Sequence, residues 1–236
     1  MVTGAGSGIG RAIAFRLAGD GCEVAAADVN EAGAEATAGA ASSIRAYAVD
    51  ITDGGAVSGF RDRVLDDLGP PAVLVNCAGW DEFHPFLETD RSFWERVVAV
   101  NYLGAVGVTH AFLRAMIGSA GGRIVNVASD AGRVGSLGEA VYAGAKGGVI
   151  AFSKSLAREV ARHGITVNAV CPGPVDTPLF RGFPPRIQEA LIHAIPLGRV
   201  AQPDDVAAAV AFFASQDAGY ITGQVLSVSG GLTMSG

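Results

Sequence analysis

The sequence predicts an α/β fold, a doubly wound parallel sheet with helices on both faces. Three observations carry this. Short apolar runs recur along all 236 residues, and they lack the in–out alternation of a sheet with one wet face. Amphipathic stretches of helical period separate them, giving the β-α-β-α order of a parallel sheet. No repeat, linker or low-complexity block interrupts the pattern, so residues 1–236 are expected to form a single domain. Half of the residues are apolar and 17% are charged, a composition able to build a large core.

The elements follow in order. Only Met1 and Val2 precede a glycine-rich stretch, so the first strand is expected to be truncated. Helical period then runs over 9–17, where Ile9, Ile13 and Leu17 form one stripe that stops near Gly19 and Gly21. Strands are expected at 23–27, 44–49, 73–75, 123–128, 166–171 and 225–228. Further helices are expected at 56–68, 92–117, 142–163 and 203–215. The segment 178–199, rich in Pro and Phe, fits no strand pattern.

Charge and cysteine usage exclude several classes of function. A net charge of −6 argues against a nucleic-acid partner, which normally meets a basic face. Cys22, Cys77 and Cys171 are odd in number and free of CxxC spacing. They predict a reducing compartment, with neither a disulfide framework nor a metal site. Arg11 and Arg16 lie inside an amphipathic pattern rather than ahead of a signal peptide. The uncharged stretch 97–113 is broken by Asn101, Gly104, Gly107 and His110, too short and too polar for a span of about 20 apolar residues. A soluble, cytoplasmic protein without a membrane partner is the expectation. The mean hydropathy of +0.36 is high for a monomer and suggests apolar surface buried between subunits.

The chemistry begins at VTGAGSGIGRAIA. Glycines at 4, 8 and 10, after a strand and opening a helix, allow a tight turn and the close approach of a pyrophosphate to helix N–H groups. The second strand ends at Asp28, eighteen residues beyond Gly10. An acidic group there accepts hydrogen bonds from ribose hydroxyls and repels a 2′-phosphate, which favours NAD over NADP. Farther on, Tyr142 and Lys146 stand one helical turn apart on one face. Only two of the seventeen basic residues are lysines, and Lys146 is one of them. An ammonium about 4 Å from the phenol, at an effective dielectric near 20, would supply about 4 kcal/mol, enough to lower a tyrosine pKa by about 3 units. The expectation is therefore a phenol made acidic by its lysine.

With TGxxxGxG at the front, NCAG at 76–79, Tyr-x-x-x-Lys at 142–146 and PGP at 172–174, the chain resembles the short-chain dehydrogenase/reductase family from end to end. The resemblance implies a Rossmann-type fold and an NAD-dependent exchange of a secondary alcohol for a ketone. It implies that Tyr142 is the general acid–base group and that Lys146 holds the nicotinamide ribose. Ser129, ending the strand RIVNVAS, would polarise the carbonyl, and Asn101, in VNYLG, would complete a proton relay. Cofactor contacts implied in the same way are Gly4, Ser7, Gly8, Ile9 and Gly10 in the turn, and Asp28 at the ribose. Asp50 and Ile51 would flank the adenine, while Asn76, Ala78 and Gly79 would line the end of the fourth strand. Pro172, Gly173, Val175 and Thr177 would hold the carboxamide. Cys77 departs from the family pattern, which usually has a second Asn there. Trp80, Asp81, His84, Asp130, Arg133 and Glu139 sit on loops where a substrate would enter, and 178–199 would be a substrate lid. Stretches such as AGWD at 78–81 and ASDAGRVGSLGEAVYAGAKGG at 128–148 point within the family to an acyl-CoA substrate, a β-hydroxyacyl thioester such as 2-hydroxycyclohexanecarboxyl-CoA. Reduction of a 3-oxoacyl-carrier-protein is the alternative. A catalytically silent nucleotide-binding protein is the alternative from another class. The family resemblance also implies a homotetramer.

Overall fold

Seven parallel strands in the order β3-β2-β1-β4-β5-β6-β7 make one sheet, so the chain starts in the middle and winds outward in both directions. In chain order, β1 (Val2–Thr3), α1 (Gly8–Gly19), β2 (Val24–Asp28), α2 (Glu31–Ala38), β3 (Ile44–Ala48), α3 (Gly54–Leu68) and β4 (Val73–Asn76) form the first half. Then come α4 (Arg91–Val98), a π turn (Ala99–Leu103), α5 (Gly104–Ile117), β5 (Gly122–Val127), α6 (Ala131–Val134) and α7 (Ala140–Val160). The remainder is β6 (Ile165–Pro172), α8 (Pro178–Arg181), α9 (Pro185–Ala194), α10 (Pro203–Ala214) and β7 (Val225–Val228). The structure, a computed structural model, describes residues 1–119 and 121–234.

Both faces of the sheet are covered, which is why its strands read as unbroken apolar runs. On one face Ile13 and Leu17 of α1 and Val206, Val210 and Phe213 of α10 pack against Val2, Val75 and Val125. On the other, Phe60, Phe112, Met116, Leu156 and Val160 cover Leu74, Ile124 and Val167. Phe60 and Phe112 meet edge to face with centroids 5.5 Å apart, the geometry that aromatic quadrupoles prefer. The run Arg91–Ile117 is long and apolar enough to cross a bilayer. Its Val97, Val108, Phe112 and Met116, however, are fully buried in the domain core.

β1 is as short as the sequence predicts, with two paired residues. Val2 pairs with both Ala26 and Val75, and Thr3 with Ala27. The Met1 ammonium donates to the Val73 carbonyl at 2.9 Å, and the Thr3 hydroxyl accepts from the Cys77 and Ala78 amides. These side contacts extend the ladder at both ends of a minimal central strand.

Apart from the four-residue α6, which no predicted helix covers, the predicted elements stand within a residue or two of their places, with three differences. α2 has no counterpart among the predicted helices because its buried stripe is Gly33, Ala34 and Thr37, too small and too polar to give an apolar period. The helical run over 92–117 is interrupted by the π turn, a feature that hydrophobic spacing does not reveal. The segment 178–199, which fits no strand pattern, holds two short helices: α8 and α9 each begin with a proline, Pro178 and Pro185, where the ring's fixed φ suits a first turn. Phe112→Ala, which empties the contact between α5 and α3, should cost about 3–5 kcal/mol of stability, read from urea unfolding curves with unchanged slope.

Candidate active site

A cleft of about 1080 Å³ opens at the carboxyl ends of β1, β2, β4, β5 and β6. The glycine-rich turn forms one wall. Gly4 has φ +68°, and a Cβ there would stand 2.8 Å from the Ala78 Cα. A Cβ at Gly10 would stand 2.0 Å from the Gly4 carbonyl oxygen, so only glycine lets α1 lie this close to β1. Ser7 caps α1 without a side-chain hydrogen bond, and the first turn holds no acidic residue. The helix therefore presents its first N–H groups and the positive end of its dipole to the cleft, where Ser7, Gly8 and Ile9 line the wall. That cradle fits a pyrophosphate. Arg11 braces it from behind, donating to the Gly6 carbonyl and, at 3.1 Å, to the Thr37 hydroxyl.

Asp28 ends β2 in the same cleft. Its Oδ2 accepts from the Gly6 amide at 2.8 Å and its Oδ1 from the Asn30 amide at 2.9 Å, which fixes the carboxylate beside the turn. Asp50 and Ile51 line the cleft after β3. Asp50 closes a local turn by accepting from the Thr52 amide and hydroxyl, and these bonds hold its carboxyl below the usual range. Ala78 and Gly79 line the floor after β4, and Pro172, Gly173, Val175 and Thr177 line the far wall after β6. Thr177 also caps α8 through the Phe180 amide.

Two of the expected site residues lie outside the cleft lining. The side chain of Asn76 points into the core, where its Nδ2 donates to Thr109 Oγ1 and Asn126 Oδ1, both at 2.8 Å. An amide at the end of β4 is drawn there because Asn126 and Thr109 are buried polar groups that need partners. Asn101 sits in the π turn, 1% exposed. Its Oδ1 accepts from the Trp80 amide, and its Nδ2 donates to the carbonyls of Trp80 and Val97. It thus clamps the loop after β4. A Cβ on Gly79 would stand 3.0 Å from Asn101 Oδ1 and 3.4 Å from Lys146 Nζ, so the two side chains flank that glycine.

Ser129, Tyr142 and Lys146 come together in the cleft. The Tyr142 hydroxyl faces the Ser129 side chain, which favours its ionised form. Ser129 Oγ in turn accepts from the Ala131 amide at 3.1 Å. Lys146, 3% exposed, donates to the Val127 carbonyl at 3.0 Å and lies 5.6 Å from the centre of the Tyr142 ring. Loss of hydration pulls the ammonium down to about 8.

The phenol does not behave as the sequence leads one to expect. Burial, then the neighbouring Glu139 carboxyl, push Tyr142 above its ordinary range, and the Ser129 hydroxyl offsets only part of this. The Lys146 ammonium is held by the Val127 carbonyl, 5.6 Å from the centre of the ring. In the protein alone, Tyr142 is a protonated acid.

Asp81 and Glu139, expected as loop residues where a substrate would enter, are neighbouring carboxyls, and Asp81 is 4% exposed with neither oxygen hydrogen-bonded. Burial and the Glu139 carboxyl push Asp81 up to about 7. Arg96 was not foreseen at all: its guanidinium stacks 3.7 Å over the Trp80 ring at the cleft wall, a contact made only when α4 folds over the β4 loop. Arg181 and Arg199 pair with Asp176 and Asp205 at 2.7 and 2.6 Å. Among the described residues, no group of three His, Cys, Asp or Glu side chains could hold a metal ion.

Residues 4–233 match the family model described as enoyl-(acyl carrier protein) reductase. The chain is also 42% identical to a (3R)-3-hydroxyacyl-CoA dehydrogenase of Rattus norvegicus, over 99% of this chain and 95% of that protein. It belongs to the short-chain dehydrogenase/reductase family. An acetoacetyl-CoA reductase of Shinella zoogloeoides is 39% identical over 98% of this chain and 96% of its own length. A 3-oxoacyl-[acyl-carrier-protein] reductase of Vibrio cholerae is 37% identical, with 99% and 96% covered. As a member of this family the protein is an oxidoreductase acting on CH–OH groups with a nicotinamide dinucleotide, NAD or NADP.

The raised Asp81 pKa predicts a pH-dependent stability. A carboxyl raised in the folded state stabilises fully below its ordinary pKa near 3.9, and that contribution is lost as pH rises through about 7. Asp81→Asn should therefore unfold at a higher temperature than the parent at about pH 8, and the gap should close toward about pH 4. Thermal unfolding by circular dichroism across this range measures it.

Proposed function

We propose that this protein oxidises a secondary alcohol β to a thioester carbonyl with NAD, and runs the reverse reduction when the ketone is supplied. The observation that carries the reading is the convergence of Ser129, Tyr142 and Lys146 in one cleft, with the uncapped N-terminus of α1 across it. When bound, the dinucleotide supplies the hydride acceptor; the chain supplies everything that handles the proton. Ser129 donates a hydrogen bond to the substrate oxygen, favouring the state in which charge builds there. Tyr142 exchanges the hydroxyl proton, and a phenol held protonated suits the acid role in ketone reduction. Lys146, with donors left beyond the Val127 bond, holds the nicotinamide ribose. Asn101, on the other side of Gly79, completes the path by which the proton leaves Lys146.

Asp28 supports NAD. Its carboxylate is fixed at the end of β2 by two backbone amides, and a fixed negative charge there repels a ribose 2′-phosphate. The thioester is supported by the relatives, whose names give hydroxyacyl-CoA, acetoacetyl-CoA and 3-oxoacyl-carrier-protein substrates. The AGWD and GEAVYAGAKGG stretches support 2-hydroxycyclohexanecarboxyl-CoA within that class. The apolar cleft wall of Trp80, Phe180, Phe183 and Leu191 would receive an alicyclic ring. Reduction of 3-oxoacyl-carrier-protein is the second reading, favoured by the Vibrio cholerae relative. In either case α8 and α9 serve as the substrate lid, and the working assembly is a homotetramer.

Tyr142→Phe should lower kcat/KM by about 10²–10⁴-fold, the range for a lost acid–base group, while dinucleotide binding by fluorescence stays near the parent value. Turnover at the parent rate would remove Tyr142 from the chemistry. Asp28→Ala should reduce the preference for NAD over NADP about tenfold or more. The ratio of kcat/KM for the two dinucleotides, read by NAD(P)H absorbance with cyclic and linear hydroxyacyl-CoA esters, measures this; an unchanged ratio would refute the role of Asp28.

A further inference from the structure

Among the described residues, the cleft lining holds two cationic side chains, Lys146 and Arg96. Lys146 is buried and bonded to the Val127 carbonyl. Arg96 is exposed, on α4. Its guanidinium carbon rests 3.7 Å over the Trp80 ring, and no hydrogen bond or ion pair joins its N–H groups to a described residue. Glu95, the acid beside it in the chain, is taken by Arg91 at 2.7 Å. The Trp80 perch is fixed from two sides. Phe93 meets its ring with centroids 5.6 Å apart, and Asn101 holds both its amide and its carbonyl. A guanidinium held this way keeps its fork of donors for a ligand, and that fork matches phosphate oxygens.

The acidic side chains of the lining oppose an anion. Asp28, Asp50, Asp130 and Glu139 border the same cleft, and the whole chain carries a net charge of −6. A phosphorylated substrate entering there needs a fixed cation to offset them. The two carriers of the proposed reading, CoA and acyl-carrier protein, both join the acyl group to a long pantetheine arm that ends in a phosphate. We propose that Arg96, braced on Trp80, binds a phosphate of the substrate's carrier and so makes the enzyme select phosphorylated thioesters. This rests on the reading of the substrate as an acyl thioester. The cradle at the N-terminus of α1 suits the pyrophosphate of the dinucleotide, which leaves Arg96 for the other substrate.

The test varies the carrier while the acyl group stays the same. Kinetics are read by NADH absorbance with the CoA, phosphopantetheine and pantetheine thioesters of β-hydroxybutyrate, the last of which carries no phosphate. Arg96→Gln keeps a flat polar group near Trp80 without the charge. It should raise KM for the CoA ester about tenfold, the loss of one charge-assisted contact. Its kcat, its KM for the pantetheine ester and its KM for NAD should stay at the parent values. Arg96→Lys should recover much of the loss. Added salt should raise KM for the CoA ester in the parent but hardly in Arg96→Gln. A response of both phosphorylated esters assigns the contact to the arm phosphate that CoA and acyl-carrier protein share; a response of the CoA ester alone assigns it to the nucleotide end of CoA. An equal loss with the pantetheine ester would make Arg96 a structural residue, and a change in KM for NAD alone would assign it to the dinucleotide. Either result, or no change in any constant, overturns the inference. If no thioester is turned over, the substrate reading fails instead, and calorimetric titration of free CoA still decides the role of Arg96: weaker binding by Arg96→Gln upholds it, and equal or absent binding overturns it.

Discussion

A lysine with 3% of its surface exposed has to find an acceptor inside the protein, and Lys146 finds it in the Val127 carbonyl at the end of β5. That bond ties the first turns of α7 to the strand that also delivers Ser129, two residues later. Tyr142 is one turn back on the same helix, so its hydroxyl is brought to Ser129 by the same tether. Remove the tether and an isolated buried charge remains, which is far costlier than an unmade surface contact. The reacting groups are therefore held by the same energetics that seat the helix on the sheet.

A second tether lies deeper. Asn76 on β4 donates to Asn126 on β5 and to Thr109 on α5, and Asn126 donates to Ser153 on α7. Each member is buried, and each bond satisfies a group whose isolation would cost about 1–3 kcal/mol. The network joins two central strands to α5, which continues from the π turn of Asn101, and to α7, which carries Tyr142. Asn76 acts on the site from behind, by keeping those elements in register.

The electrostatics of the cleft follow from burial more than from pairing. Desolvation leads the causes for Tyr142, Lys146, Asp81 and Glu139 alike, raising the acids and lowering the ammonium. Every one of these groups is pushed toward its neutral form. A nicotinamide cation arriving beside Tyr142 would meet a phenol, a cation near its own neutral point and a carboxyl pair still able to take up charge. Such a site is poised to respond to a bound charge, because no strong ion pair has already fixed the balance.

The sequence by itself determined the winding of the sheet, the glycine turn against Asp28 and the helical spacing of Tyr142 and Lys146, because each depends on local period or on what a missing Cβ allows. The helix α2 escaped notice because its buried stripe is made of small residues, and the π turn because spacing alone does not show it. Only the tertiary structure decided that Asn76 turns inward, that Arg96 stacks on Trp80, and that Asp81 reaches Glu139 across 58 positions of chain. It also decided the sign of the Tyr142 shift. Spacing places a lysine one turn from a tyrosine, but whether its ammonium faces the hydroxyl or a strand carbonyl depends on what the fold buries with it.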